Sequence, residues 1–201
     1  MKKLLYLHGF GSSGASGTVE VLRHALWDKE PDPAKRVQIV APDIPVDPQE
    51  ALPFLKALVA KENPDIIVGT SMGGMYAQQL RGYPRICVNP SFGTSKLYSL
   101  LHVGKYKWLN KRRDGSIEFH IYKETIEHYA EMEARQFDGI TDDDRIFCFG
   151  LFGTEDEITA PSRAIFETHY PGQLRLFEGG HRLNADLVNR EVVPLIREIG
   201  L

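Results

Sequence analysis

The chain has 201 residues, 42% of them hydrophobic and 25% charged, with 27 acidic against 24 basic side chains for a net charge of −3. That length suits one α/β domain with a proper core, and the apolar–charged balance excludes wholesale disorder. So mild a charge argues against a general nucleic-acid binder, and no run approaches the roughly 18 apolar residues of a membrane span.

The N-terminal "MKKLLYLHGF" places two lysines before an apolar stretch, as secretory signals do. Only Leu4, Leu5, Tyr6 and Leu7 are apolar before His8, short of the ~7–15 residues such a signal needs. "KLLYLH" (3–8) is instead the first of six short runs rich in Val, Ile, Leu and Phe. The others are "VQIVA" (37–41), "DIIVG" (65–69), "RICVN" (85–89), "RIFCFGLF" (145–152) and "QLRLF" (173–177). Continuous rather than alternating runs suit parallel strands covered on both faces. Between them, residues 18–29, 48–63, 75–82 and 161–170 carry apolar side chains near a helical period. The tail 184–200 does likewise, with Pro194 expected to kink it. Strand–helix alternation of this kind implies right-handed crossovers and a mostly parallel, six-stranded open sheet flanked by helices.

The alternation lapses between Asn89 and Arg145, a stretch longer than the ~10–12 residues of a simple crossover. Residues 91–144 are therefore expected to form a helical cap insertion over one end of the sheet, within a single domain spanning 1–201. Inside it, "KYKWLNKRR" (105–113) concentrates five basic residues, which suit either a solvated surface or an anionic leaving group. Cys87 and Cys148 both sit in strand-like runs and are expected as free buried thiols. No disulfide framework or zinc site is indicated, and the expected location is cytoplasmic.

Gly9, Gly11 and Gly14 spell G-x-G-x-x-G directly after the first strand-like run. That is the dinucleotide-binding spacing, yet the same letters from His8 read His-Gly-Phe-Gly, a loop able to supply half of an oxyanion hole. A dinucleotide site wants an acid ~20 residues beyond its glycines to hold the ribose. The candidate Asp43 lies farther on and opens the proline-bounded "IPVDP".

"GTSMGG" (69–74) sits between a strand-like run and the helix-forming "MYAQQL". G-x-S-x-G in that context is the pattern of a nucleophile elbow, whose serine occupies a strained turn above the sheet edge. Glycines at 69 and 73 fit because side chains there would collide as the helix folds back over the strand. Ser71 is thus the candidate nucleophile. A serine needs a base and a group to orient that base, and in this fold they follow in the order acid, then histidine. "GTEDEI" (153–158) supplies Asp156, with Glu157 the next choice and Glu155 a solvated neighbour. "EGGHRL" (178–183) supplies His181. His24, His120, His128 and His169 fall in or beside helix-like segments, His102 lies in the insertion, and His8 is expected to hold its own loop. A dinucleotide reading would leave Ser71, Asp156 and His181 in triad order by accident, so the oxyanion-loop reading is preferred. The backbone N–H groups of Phe10 and Met72 then face the oxyanion.

These segments, with "APDIPVDPQEAL" and "CVNPSF", resemble from end to end the small bacterial α/β-hydrolases of the YqiA-type esterase family. The resemblance implies an α/β-hydrolase fold and a carboxylic ester hydrolase (esterase or thioesterase) acting on a small-molecule acyl ester or acyl thioester. It implies Ser71 as nucleophile, Asp156 as acid and His181 as base, with oxyanion donors at Phe10 and Met72. No metal or organic cofactor is required by that chemistry, no nucleic acid is expected as a partner, and a homo-oligomer is left open. An acyltransferase using the same triad, or a non-catalytic binding protein on the same fold, are the alternatives.

Overall fold

The computed structural model describes residues 1–98 and 103–199. All six apolar runs form strands: β1 (Lys2–Leu7), β2 (Val37–Val40), β3 (Ile66–Thr70), β4 (Arg85–Val88), β7 (Cys148–Gly153) and β8 (Leu174–Phe177). They pair in parallel, in the order β2-β1-β3-β4-β7-β8. The sheet is covered on both faces, which is why its runs lack alternation. On β1, Leu4 and Tyr6 meet one core while Leu5 and Leu7 meet the other. The first core is closed by Val19 and Leu22 of helix α1 (Gly17–Arg23) and by residues 187–196 of the C-terminal helical tail. The second is closed by α2 (Pro48–Glu62) and α3 (Met72–Gln79). The tail stays right-handed helical but widens into a π turn (Val188–Val192) ahead of a last helix (Val193–Glu198) that carries Pro194 in its first turn.

Two details depart from the sequence reading. The fifth strand begins at Cys148, not at residue 145. Arg145 and Ile146 belong instead to a short helix, α6 (Asp142–Ile146), started by a capping box between Thr141 and Asp144. Nor is the segment between β4 and β7 wholly helical. Besides α4 (Thr94–Tyr98), α5 (Lys123–Arg135) and α6, it holds an antiparallel hairpin of β5 (Gly104–Lys107) and β6 (Glu118–Ile121). The physical reason is a period of two. Lys105, Lys107 and Leu109 face out while Tyr106 and Trp108 are partly buried, and Phe119 and Ile121 of β6 are buried beneath them. Tyr106, Trp108 and Phe119 pack as a ring cluster, with Phe10 edge-on to Phe119 at 5.3 Å.

Cys87 and Cys148 are free and buried, their sulfurs 3.9 Å apart on neighbouring strands. No helix among the described residues is long and apolar enough to cross a membrane.

Candidate active site

Ser71 follows β3, Asp156 follows β7 and His181 follows β8, so parallel strands deliver all three to the same carboxyl edge of the sheet. Ser71 sits at the turn into α3 with φ 56° and ψ −119°, a left-handed conformation rare for a residue with a side chain. The turn is tight enough that a Cβ on Gly69 would lie 2.1 Å from the Gly73 carbonyl oxygen. A Cβ on Gly73 would lie 2.1 Å from that of Leu7. Helix α3 thus crosses so close to β1 and β3 that only glycine fits at those two positions.

The structure brings the three residues into one hydrogen-bonded row. Ser71 Oγ is 3.1 Å from His181 Nε2, and His181 Nδ1 is 2.9 Å from Asp156 Oδ2. The Asp156 carboxylate is almost fully buried and also accepts from the backbone N–H groups of Ile158 and Thr159 and from the Thr159 hydroxyl. Burial works to raise its pKa, but the hydrogen bonds from Thr159 and His181 outweigh burial and hold it below the usual carboxylate range. An ionised carboxylate only accepts, so Nδ1 carries the ring proton and Nε2 is left to accept from the serine hydroxyl. Glu155 and Glu157 are exposed, as expected of solvated neighbours.

The glycine-rich loop after β1 runs beside Ser71: a Cβ on Gly9 would touch that of the serine at 3.4 Å. Phe10 lies on this loop, and Met72 opens α3, where N–H groups and the helix dipole favour negative charge. His8 anchors the loop from below, fully buried, its Nδ1 2.8 Å from the Gly9 carbonyl oxygen and its Nε2 accepting from the Ile44 N–H at 3.0 Å. Burial pushes its pKa down to about 4, so the ring is neutral.

Asp43, the residue a dinucleotide site would need for ribose, is occupied otherwise. Its Oδ1 accepts from the Gly14 N–H at 2.8 Å and its Oδ2 from the Arg113 N–H at 2.7 Å. Segment 108–113 is therefore tied to the glycine-rich loop after β1, with Leu109 N–H donating to the Gly11 carbonyl and Ser12 Oγ to Asn110 Oδ1. Gly14 itself approaches Ala41 so closely that a Cβ would lie 2.2 Å from its carbonyl oxygen. Turn and packing demands thus explain the G-x-G-x-x-G spacing. The basic stretch is only partly solvated. Arg112 is 7% exposed, lies over the Trp108 ring and donates to the Ile44 carbonyl, while the Arg113 side chain donates to that of Ala41. Those two guanidinium groups thus tie this segment to the backbone at residues 41 and 44.

Of the other histidines, His128 pairs with Asp47, His24 with Asp28, and His169 stacks on Phe137. His120 stands in the hairpin, and His102 lies outside the described residues. A surface cleft of about 1080 Å³ opens between α2 and α5, but none of Ser71, Asp156 or His181 lines it. Among the described residues, no group of three or more His, Cys, Asp or Glu side chains is placed to hold a metal ion. Sequence reasoning missed Thr159, whose hydroxyl stands three residues after the acid. The "D-x-x-T" at 156–159, an Asx- or cap-like spacing, was its only signal.

Comparison with known proteins agrees with this architecture. The model of an uncharacterised protein family, UPF0227, matches residues 3–183. Among solved structures, Est1E from Butyrivibrio proteoclasticus superposes with a TM-score of 0.66 at 13% identity, over 98% of this chain and 88% of that one. The esterase domain of a Rhodothermus marinus protein gives 0.64 at 17% identity, over 99% and 88%. A thioesterase domain from the curacin biosynthetic pathway gives 0.55 at 13% identity, over 98% and 90%. At such identities the likeness is one of fold, and the fold is that of the α/β-hydrolases.

Proposed function

This chain belongs to the uncharacterised protein family UPF0227, and from that premise we propose that it is a serine hydrolase of carboxylic esters, with acyl thioesters as a second substrate class. The observation that carries the proposal is the unbroken row Ser71 Oγ, His181 Nε2, His181 Nδ1, Asp156 Oδ2 at the carboxyl edge of the sheet.

In the proposed reaction, Ser71 Oγ attacks the acyl carbonyl carbon while His181 Nε2 takes the hydroxyl proton. Asp156 keeps the imidazole in the tautomer that can accept it and stabilises the imidazolium that forms. The carbonyl π electrons move onto oxygen, and the Phe10 and Met72 N–H groups hold that oxyanion. Such donors contribute roughly 3–4 kcal/mol each when aimed at the transition state. Collapse expels the alcohol or thiol, which takes the proton back from His181, and leaves Ser71 acylated. Water, deprotonated by the same nitrogen, adds to the acyl carbon, and collapse breaks the bond to Ser71 Oγ, which recovers the proton from His181 as the acid leaves. On this reading the whole chain is one hydrolase domain, and residues 91–144 form the insertion that covers the site and sets which acyl and leaving groups enter.

A fluorophosphonate probe tests the assignment. It is expected to label the wild-type chain at Ser71, located by mass spectrometry, while a panel of aryl esters and acyl thioesters of graded length gives turnover. Absence of both labelling and turnover with every member of the panel would refute the hydrolase reading. Transfer of the acyl group to added alcohols or amines in preference to water would replace it with an acyltransferase.

A further inference from the structure

Asn89 is the residue after β4, and sequence reasoning treated it only as the end of a strand. It is buried, with 1% of its surface exposed, and adopts φ 43°. That left-handed conformation is one asparagine and glycine tolerate and most residues resist. Its side chain is fully engaged with backbone atoms of two other segments. Oδ1 accepts from the Gly153 N–H at 2.7 Å, and Nδ2 donates to the carbonyls of Gly180 at 3.1 Å and His181 at 3.2 Å. The orientation of the amide is not arbitrary: an N–H on one side demands the oxygen, and two carbonyls on the other demand the nitrogen.

These contacts fall on the segments that carry the triad. Gly153 ends β7 and begins the turn to Asp156, whose N–H donates back to the Gly153 carbonyl. Gly180 and His181 form the loop that brings the imidazole over the serine. The main chain of Asn89 lies equally close to Ser71. The preceding residue, Val88, accepts from the Ser71 N–H at 2.9 Å, and Ser91 two residues on donates to the Ser71 carbonyl at 3.1 Å. One buried amide thus sits between the nucleophile turn, the acid turn and the histidine loop. Packing there leaves no slack, since a Cβ on Gly153 would lie 2.4 Å from the Gly179 carbonyl oxygen.

We propose that Asn89 is a positioning residue, which sets the place of the His181 imidazole over Ser71 by binding the backbone of the acid turn and of the histidine loop at the same time. The proposal rests on the hydrolase reading above. Asn89 touches no reacting atom; it acts through the carbonyl of His181 itself, whose ring nitrogen is 3.1 Å from the attacking oxygen. Displacements near 1 Å at a reacting group cost about a hundredfold in rate, so a small drift of this loop is expected in kcat rather than in KM.

Two substitutions separate positioning from simple support. Asn89→Asp keeps the size, the tolerance of φ 43° and the acceptor for Gly153, but turns an oxygen toward the carbonyls of Gly180 and His181. Asn89→Gly suits the backbone without strain and removes every side-chain contact, leaving room for water. Val192→Ala, on the buried face of the C-terminal helical tail, serves as a control for general destabilisation. All are assayed with p-nitrophenyl acetate at a temperature where circular dichroism shows them folded. The low-field Nδ1–H resonance of His181 is followed by NMR in parallel.

Both Asn89 variants are expected to lose about 10- to 100-fold in kcat, with KM within about twofold, and to broaden or shift the His181 resonance. Val192→Ala is expected to keep wild-type kcat and the resonance. A folded Asn89→Gly protein with unchanged kcat and an unchanged His181 signal would overturn the proposal. Wild type that neither turns over nor labels would instead defeat the hydrolase reading, while the NMR comparison would still decide whether Asn89 places the imidazole.

Discussion

The hydroxyl of Thr159 donates to Asp156 Oδ2, the same carboxylate oxygen that faces the His181 ring at 2.9 Å. One oxygen of the acid therefore carries both the imidazole and a neutral donor, while the other is held by the backbone N–H groups of Ile158 and Thr159. The carboxylate is thus held in place by three donors besides the histidine.

Thr159→Val tests that arrangement, because it keeps the shape and deletes one donor. The carboxyl loses a hydrogen bond that lowers its pKa, so the direction of change is upward. Expected is a kcat about tenfold lower, in line with losing a ~1.5 kcal/mol charge-assisted hydrogen bond. Steady-state kinetics on an aryl ester measures it; unchanged kcat would mean that the backbone donors suffice.

Ser71 stores backbone strain at φ 56°, of the order of 1–3 kcal/mol for a residue with a Cβ. Ser71→Ala keeps the strain and Ser71→Gly relieves it. Both variants are expected to lose ester turnover by at least about 10⁴-fold. The glycine variant should unfold at higher urea concentration than the alanine variant, by about 1 kcal/mol in stability. Equal midpoints would count against a strained turn.

Stability is expected to fall with acid through His8. Burial holds its folded pKa at about 4 against an ordinary value of 6.5, so the unfolded chain takes up the proton first as pH drops. The stabilisation is complete above pH 6.5, declines between 6.5 and 4, and is spent below that, for a total of about 3 kcal/mol. Urea midpoints across this window should slope less steeply in His8→Gln, which keeps an acceptor toward the Ile44 N–H. Parallel slopes for the two proteins would remove His8 as the source.

Asp43 joins the glycine loop to segment 108–113 through Gly14 and Arg113. Asp43→Asn presents an N–H₂ to one of those N–H donors and so loosens one attachment. A kcat loss of about tenfold is expected as the Phe10 loop gains freedom, with a modest drop in thermal midpoint. Stopped-flow or initial-rate kinetics beside a thermal melt separate the two effects. A lower melting point with unchanged kcat would show that this attachment supports the fold alone.

The six sheet strands were legible because strands buried on both faces must be apolar throughout, and nothing else in the chain combines that with such short length. Their bounds held to within one to three residues, the largest slip being at Arg145–Phe147, where the capping box of Thr141 and Asp144 takes precedence over β-rich composition. The hairpin went unread although "KYKW" alternates and "DG" follows it. Its pairing with "EFHI" spans a ten-residue loop, so no local signal joined the two. Nor did the charge run at 105–113 disclose that Arg112 is buried, since the Ile44 carbonyl that receives its guanidinium comes from another part of the chain, although the Trp108 ring beneath it lies in the same run.

By itself, the order of residues determined which side chains are candidates for the chemistry, that each of Ser71, Asp156 and His181 follows a strand, and that parallel strands put their ends on one edge. Those are consequences of side-chain type and of hydrophobic period, both local. Tertiary structure alone decided the 3.1 Å and 2.9 Å contacts and the contacts of Asn89 and Asp43. Their partners are, in large part, backbone N–H and C=O groups of distant segments. Every residue but proline offers both of those groups, so no pattern of letters can mark which of them a buried side chain will find.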